Sequence, residues 1–224
     1  MKRQVTFDHD TMAARLQAGM AAFTLPDAAA GDVGGLAAQL TTYLAELHKW
    51  NRAYNLTAVR DPFEMLTRHI YDSLTALPFV AGDAIADVGT GAGLPGIPLA
   101  LCYPDRHFTL IDTNGKKTRF VQHAVAHLRL DNVEVVQARV ESYVPASLFS
   151  SVFSRAFASL ADFVAGCQAM TAADGCLVAL KGRYPEEEQA ALESAALGWS
   201  VRESHQVSVP ELEGERNILI LQRN

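Results

Sequence analysis

The chain has 224 residues, 49% hydrophobic and 20% charged, the profile of a soluble globular protein with room for one α/β domain and an appendage but not for two full domains. A formal charge of −6 argues against a general nucleic-acid binder, since phosphate contacts are made chiefly by Lys and Arg; any RNA affinity needs a local basic patch. Cys102, Cys167 and Cys176 are widely spaced with no C-x-x-C pair, and there is neither a signal-peptide core nor a membrane-length apolar run, so neither a disulfide framework nor a zinc cluster is suggested, no membrane span is expected, and a cytoplasmic protein with reduced thiols is expected.

Residues 1–35 read as an extension, with a leading amphipathic segment and a small-residue loop, "PDAAAGDVGG", at residues 26–35. Leu36, Leu40, Tyr43, Leu44 and Leu47 recur at helical spacing and predict a helix over residues 36–50. A turn at Asp61-Pro62 and a second helix through Phe63, Leu66, Ile70 and Leu74 complete a helical cap, residues 36–78, on a main domain of residues 79–224. From residue 83 short apolar runs alternate with amphipathic segments, the texture of a parallel sheet with crossover helices. The expected strands are "AIADVG", "HFTLID", "VEVVQA", "SSVFSRA" and "GCLVALKG". Helices are expected from about Pro95 and over "KKTRFVQHAVAHLRL", "LADFVAGCQAM" and "PEEEQAALESA". Two last strands, "SVRESHQVSV" and "RNILILQ", joined by "PELEGE", read as an antiparallel pair, which departs from a dinucleotide-binding fold.

"DVGTGAGLPG", residues 87–96, fits two fingerprints: G-x-G-x-x-G from Gly91, the dinucleotide pattern, and D-x-G-x-G-x-G from Asp87, the pattern of a methyl-donor site. In both, Gly89, Gly91 and Gly93 let the backbone turn tightly and approach a ligand. A pyrophosphate wants free N–H groups at the helix start and no negative charge nearby, yet Pro95 removes a donor and Asp87 adds repulsion. The sulfonium and ammonium of S-adenosylmethionine are instead helped by a carboxylate, and Gly96 then completes the dinucleotide pattern by accident. No Lys-Ser/Thr follows Gly96, as a P-loop requires. Asp112, at the end of the second strand, can accept hydrogen bonds from ribose hydroxyls and supports a nucleoside under either reading. An NAD-binding redox protein using Gly91, Gly93 and Gly96 stays open as the alternative, as does an idle adenosine-binding module. On the residues alone, Arg155 is equally a surface ion-pair partner and a site residue.

"DVGTGAGLPGIPLA", "LIDTNGKKTRF", "SRAFASLADF", "LVALKG" and "EGERNILILQ", preceded by "YNLTAVRDPFEMLTRHIYDSL", closely resemble the bacterial GidB (RsmG) family over residues 43–223. The resemblance implies a class I methyltransferase fold, a Rossmann-like doubly wound sheet of about seven strands with the last antiparallel. It implies S-adenosylmethionine as cofactor and N7 of a guanine in 16S rRNA of the small ribosomal subunit as the acceptor. Carried over by position, the cofactor site takes Gly89, Leu94, Asp112, Val140, Glu141 and Arg155, with Val140 against adenine, Glu141 near its exocyclic amine, and Arg155 where the methionine end meets the incoming base. Only the resemblance selects RNA over a small molecule or protein, since many methyltransferases share the fold.

Guanine N7 carries an in-plane lone pair, so attack on the sulfonium methyl needs no acid or base; catalysis is expected to be orientation and desolvation, with no catalytic acid–base residue and no metal. RNA contacts are expected from the local cations Lys116, Lys117, Arg119, Arg139, Lys181 and Arg216, and from Asn55 and Arg68, which with His69 and Asp72 match the family's pattern; His69 could contact the donor or RNA but is more often structural in such a place, and is taken as neither catalyst nor metal ligand. The acidic balance suggests an assembled subunit as substrate, on which a small basic face suffices. No DNA or membrane partner is expected, and the chain is expected to act as a monomer.

Overall fold

The computed structural model describes residues 7–155, 157 and 159–224. The apolar runs of the second half become β1 (Ala84–Val88), β2 (His107–Asp112), β3 (Val133–Gln137), β4 (Phe149–Ser154), β5 (Thr171–Lys181), β6 (Trp199–Gln206) and β7 (Asn217–Arg223). They form one seven-stranded sheet in the order β3-β2-β1-β4-β5-β7-β6. β1 to β5 are parallel, and β7 is antiparallel to both β5 and β6. Asp87 lies opposite Leu110 on one neighbour and Phe153 on the other, so the carboxyl ends of β1, β2 and β4 come together. The strand order reverses between β1 and β4, and a crevice at such a switch point is where open α/β sheets take ligands.

The helices are α1 (His9–Gly19), α2 (Asp27–Ala30), α3 (Val33–Tyr54), α4 (Pro62–Met65), α5 (Asp72–Leu74), α6 (Gly96–Cys102), α7 (Gly115–Leu128), α8 (Leu160–Cys167) and α9 (Glu186–Ser194). Side chains alternate across the sheet with the two-residue period of a strand. Ile85, Leu110 and Ile218 join one core with residues of α1, α3, α6 and α7; Ala86, Ile111 and Leu219 join the other with residues of α8 and α9.

The segment expected as a loose extension is part of that first core from Phe7 onward; Met1–Thr6 lie outside the described residues. Met12 and Leu16 of α1 are 0% exposed. Burying each contributes about 1.5–3 kcal/mol, which is large beside a domain stability of roughly 5–15 kcal/mol, so α1 is structural. The expected loop at residues 26–35 holds α2 and the start of α3, because Asp32 accepts the Gly35 N–H at 2.8 Å and opens the helix earlier. α3 runs on to Tyr54 and stops at Asn55, whose φ of 52° is left-handed. Residues 36–78, read as a helical cap on the main domain, share their core with the sheet. Ala156, the expected end of the fourth strand, lies outside the described residues, and β4 ends at Ser154. Among the described residues no helix is long and apolar enough to cross a membrane.

Candidate functional site

The loop leaving β1 is held from below. Gly89 N–H and Thr90 N–H both donate to the Ile111 carbonyl, at 2.9 and 3.1 Å, which ties the loop to β2. Gly89 and Gly91 have φ of 67° and 62°, a region that side chains other than glycine's adopt at a cost. A Cβ on Gly89 would meet nothing within 4 Å, and one on Gly91 nothing nearer than 3.9 Å, so both present bare backbone to open space. Gly93 and Gly96 differ. A Cβ on Gly93 would come within 2.6 Å of Ile97, and one on Gly96 would overlap Leu110 Cδ2. Gly96 is therefore no accident of pattern: it lets α6 pack closely on β2.

Asp87 corrects a second expectation. Its side chain is 1% exposed, and Oδ2 accepts from Thr90 Oγ1 at 2.6 Å and from Gly96 N–H at 2.9 Å. Oδ1 is buried with no partner among the described residues. Burial pushes the carboxyl up to about 7, against the lowering effect of the Thr90 and Gly96 hydrogen bonds. Asp87 thus braces the loop from beneath, instead of offering a bare charge to a cationic ligand. Because the folded carboxyl titrates above its ordinary 3.8, its favourable contribution is complete below that value and is lost as pH rises through about 7. The stability of the native chain relative to Asp87→Asn should fall by on the order of 2 kcal/mol between about pH 5 and pH 8. Urea unfolding of both proteins at each pH measures this, and a pH-independent difference would show an ordinary carboxylate.

Beyond the loop lies a crevice of about 340 Å³, lined by Gly89, Ile111, Asp112, Lys117, Val140, Glu141 and Phe157 among others. Asp112 is 8% exposed; its Oδ2 accepts from Gly91 N–H and its Oδ1 from Asn114 N–H, both at 2.8 Å. Each oxygen retains a further lone pair, and Asp112 lines the crevice. Ile111, Val140 and Phe157 give the wall apolar surface, and the 3₁₀ turn Val140–Ser142 carries Glu141 at its rim. A nucleoside fits these groups, with flat apolar contact at one end and a hydroxyl acceptor at the other.

A second crevice, of about 370 Å³, is lined by Val59, Arg68, His69, Asp72, Arg155, Leu180, Lys181, Gly182 and Arg216; Arg155 in its wall lies two residues from Phe157 in the wall of the first. The helix bearing Arg68 and His69 is wound as a π segment, Leu66–Tyr71, a widening often found at functional sites. Asp72, 7% exposed, organises the arginines: Arg155 Nη1 approaches its Oδ2 at 3.3 Å and Arg216 Nε its Oδ1 at 2.9 Å. Arg155 Nη1 also donates to the Arg68 carbonyl at 3.3 Å.

Not all the expected RNA contacts are free to serve. Lys181 is paired with Glu188 at 2.8 Å and reaches the Phe157 carbonyl at 3.4 Å, so it is a structural cation in the pocket wall. Lys117 and Arg139 line the first crevice, whereas Lys116 and Arg119 sit on the exposed face of α7. Asn55 is exposed at the end of α3 and accepts from Arg60 Nη2. Leu94, expected at the ligand, is 3% exposed and packs in the core. His69 is 5% exposed with Nε2 2.9 Å from Thr57 Oγ1; burial, then the nearby Arg155, pulls it down to about 4, so it is neutral at physiological pH. The role of Asp72 as joint anchor escaped the sequence reading; its signal was an acid inside the apolar stretch "HIYDSL". Among the described residues no group of three or more His, Cys, Asp or Glu could hold a metal ion.

Residues 36–219 match the GidB family model, described as rRNA small subunit methyltransferase G. The chain is 51% identical over 185 residues to ribosomal RNA small subunit methyltransferase G of Marinobacter nauticus, covering 83% of this chain and 85% of that protein. It is 51% identical over 187 residues to the protein of the same name from Cronobacter sakazakii, covering 84% and 89%. In three dimensions it resembles a magnesium protoporphyrin IX methyltransferase from Synechocystis solved with bound SAM, at TM-score 0.57 and 12% identity over 81% of this chain and 97% of that one; at that identity the likeness concerns the fold.

Proposed function

This chain belongs to the GidB family, rRNA small subunit methyltransferase G, and we propose that it transfers the methyl group of S-adenosylmethionine to N7 of a guanine in 16S rRNA. The observation that carries the reading is the pairing of a nucleoside-sized crevice, walled in part by Phe157, with an arginine-lined pocket that includes Arg155, both just past the carboxyl end of β4. Bare backbone at Gly89 and Gly91 lets the donor lie against the loop. Asp112 takes the ribose hydroxyls on its remaining lone pairs, Val140 and Phe157 flank adenine, and Glu141 receives the exocyclic amine. Arg155, aimed by Asp72, faces the methionine carboxylate and the incoming base.

S-adenosylmethionine supplies an electrophilic methyl group on a positively charged sulfur. Guanine N7 offers a lone pair and loses no proton when it takes that methyl, so the positive charge moves from one reactant to the other. The side chains therefore need to align the reactants and exclude water, not to transfer protons. The neutral, buried His69 agrees with that division of labour.

The acceptor is proposed to be the assembled small subunit, since a chain of net charge −6 binds free RNA poorly except through a small basic face. Incubation with labelled donor and small subunits from a strain lacking the enzyme, followed by reductive strand scission at N7-methylguanine, tests both points. A new cleavage in 16S rRNA is expected, faster with subunits than with naked RNA. No cleavage rejects the reaction, and equal rates reject the preference for the particle.

A further inference from the structure

Where α3 and α7 meet, a row of rings lies outside both crevices. Glu46, Trp50 and Tyr54 follow each other at four-residue spacing on α3; Lys116, Phe120, His123 and His127 form the facing stripe of α7. The Trp50 ring centroid is 5.3 Å from that of Tyr54 and 4.9 Å from that of His123, with planes inclined by 36° and 34°. His123 continues the row to His127 at 5.6 Å and 20°. Phe120 anchors the row in the core, 5.7 Å from Trp50 and 0% exposed. The outer members are not buried: Tyr54 is 46% exposed and the His123 side chain 35%.

Unpaired charge on the α7 side of this seam is basic. α7 carries Lys116, Lys117 and Arg119 and no carboxylate, in a chain whose acids outnumber its Lys and Arg by 25 to 19. Lys49, 71% exposed, stands one residue before Trp50. The nearby acid, Glu46, is occupied by His123 at 2.7 Å and Lys49 at 3.3 Å. The seam also adjoins both crevices: Lys117 lines the first, and the chain leaving α3 at Asn55 reaches the wall of the second at Val59.

We propose that Trp50, Tyr54 and His123 form a stacking platform for an unpaired nucleotide of the substrate RNA beside the methylated guanine, with Lys116 and Arg119 on its phosphates; this rests on the RNA reading above. Every base has a π-face, so such a platform grips flanking nucleotides without reading their identity, and the cations supply the salt-sensitive part of the affinity. It gives an acidic chain a local means of holding RNA while the target base is presented to the donor.

Two measurements test the platform. Trp199 is 2% exposed, so quenching of tryptophan emission by a short single-stranded RNA oligonucleotide reads Trp50. Quenching is expected, and its absence overturns the proposal. In methylation assays, Tyr54→Ala should raise KM for RNA roughly tenfold, with the effect falling on KM and not kcat, and Tyr54→Phe should restore it. Lys116→Ala should flatten the salt dependence of oligonucleotide binding by about 0.7 in log–log slope. An unchanged KM in Tyr54→Ala overturns the proposal, as does a loss confined to assembled subunits with naked RNA unaffected, which would make the seam a protein contact. Wild-type quenching by RNA without any rRNA methylation would instead overturn the parent reading and leave the platform standing.

Discussion

Gly89→Val is expected to weaken S-adenosylmethionine binding at least a hundredfold while the protein stays folded. At 67° the φ of Gly89 is one that valine adopts only with strain, about 1–3 kcal/mol, which a domain stabilised by roughly 5–15 kcal/mol withstands. No atom lies within 4 Å of the new Cβ, so the side chain meets the donor's space and not the protein. Gly96→Ala is the contrasting case. Its Cβ would overlap Leu110 Cδ2 and come within 2.9 Å of Asp87 Oδ2, so overpacking of about 1–3 kcal/mol falls on the fold. Calorimetric titration of the donor together with thermal melts separates the two outcomes. A Gly89→Val protein that binds S-adenosylmethionine normally would remove the glycine loop from the site, and one that binds NADH in its place would revive the dinucleotide alternative.

The same two glycines show what the sequence could and could not reveal. Gly89 was legible because its cause is local: a strand end, a tight turn and an acid at its front. Gly96 looked accidental because its cause is the Leu110 side chain on the next strand. Asp87 was recognised as important but misassigned, since nothing in "AIADVG" tells how deeply its carboxylate is buried. All seven strands were legible from their apolar runs, and the antiparallel β7 followed from two adjacent strand-like runs; β5, however, starts at Thr171, not at the expected Gly175, and β6 stops at Gln206, short of the expected Val209. α1 was the converse: Met12, Leu16 and Met20 recur every fourth residue, a stripe readable as buried, yet short enough to pass for an appendage. Asp72 was the least legible. Its partners Arg155 and Arg216 lie 83 and 144 residues away, and only the folded chain brings them together.

That convergence sets the second large effect. Arg155 follows β4 directly and lines the arginine-lined pocket, and its guanidinium is held at Nη1 by Asp72 Oδ2 and by the Arg68 carbonyl. A cation so held can meet the methionine carboxylate without first losing side-chain entropy, and it acts inside a crevice where water screens it poorly. Removing one partner of such a charge pair costs about 2–5 kcal/mol in the complex. Arg155→Ala should therefore lower kcat/KM by roughly 10²–10³-fold, since each 1.36 kcal/mol corresponds to a factor of ten. The fold should lose much less, about 1 kcal/mol, because the Arg155 side chain is 27% exposed and Asp72 keeps Arg216 at 2.9 Å. Arg155→Lys keeps the charge without the planar fork, so it should recover only part of the activity. Asp72→Asn should fall between the two, leaving the guanidinium charged but no longer aimed. An Arg155→Ala protein with wild-type turnover on small subunits would show that the donor and the base are held without it, and would move the centre of the reaction toward the glycine loop.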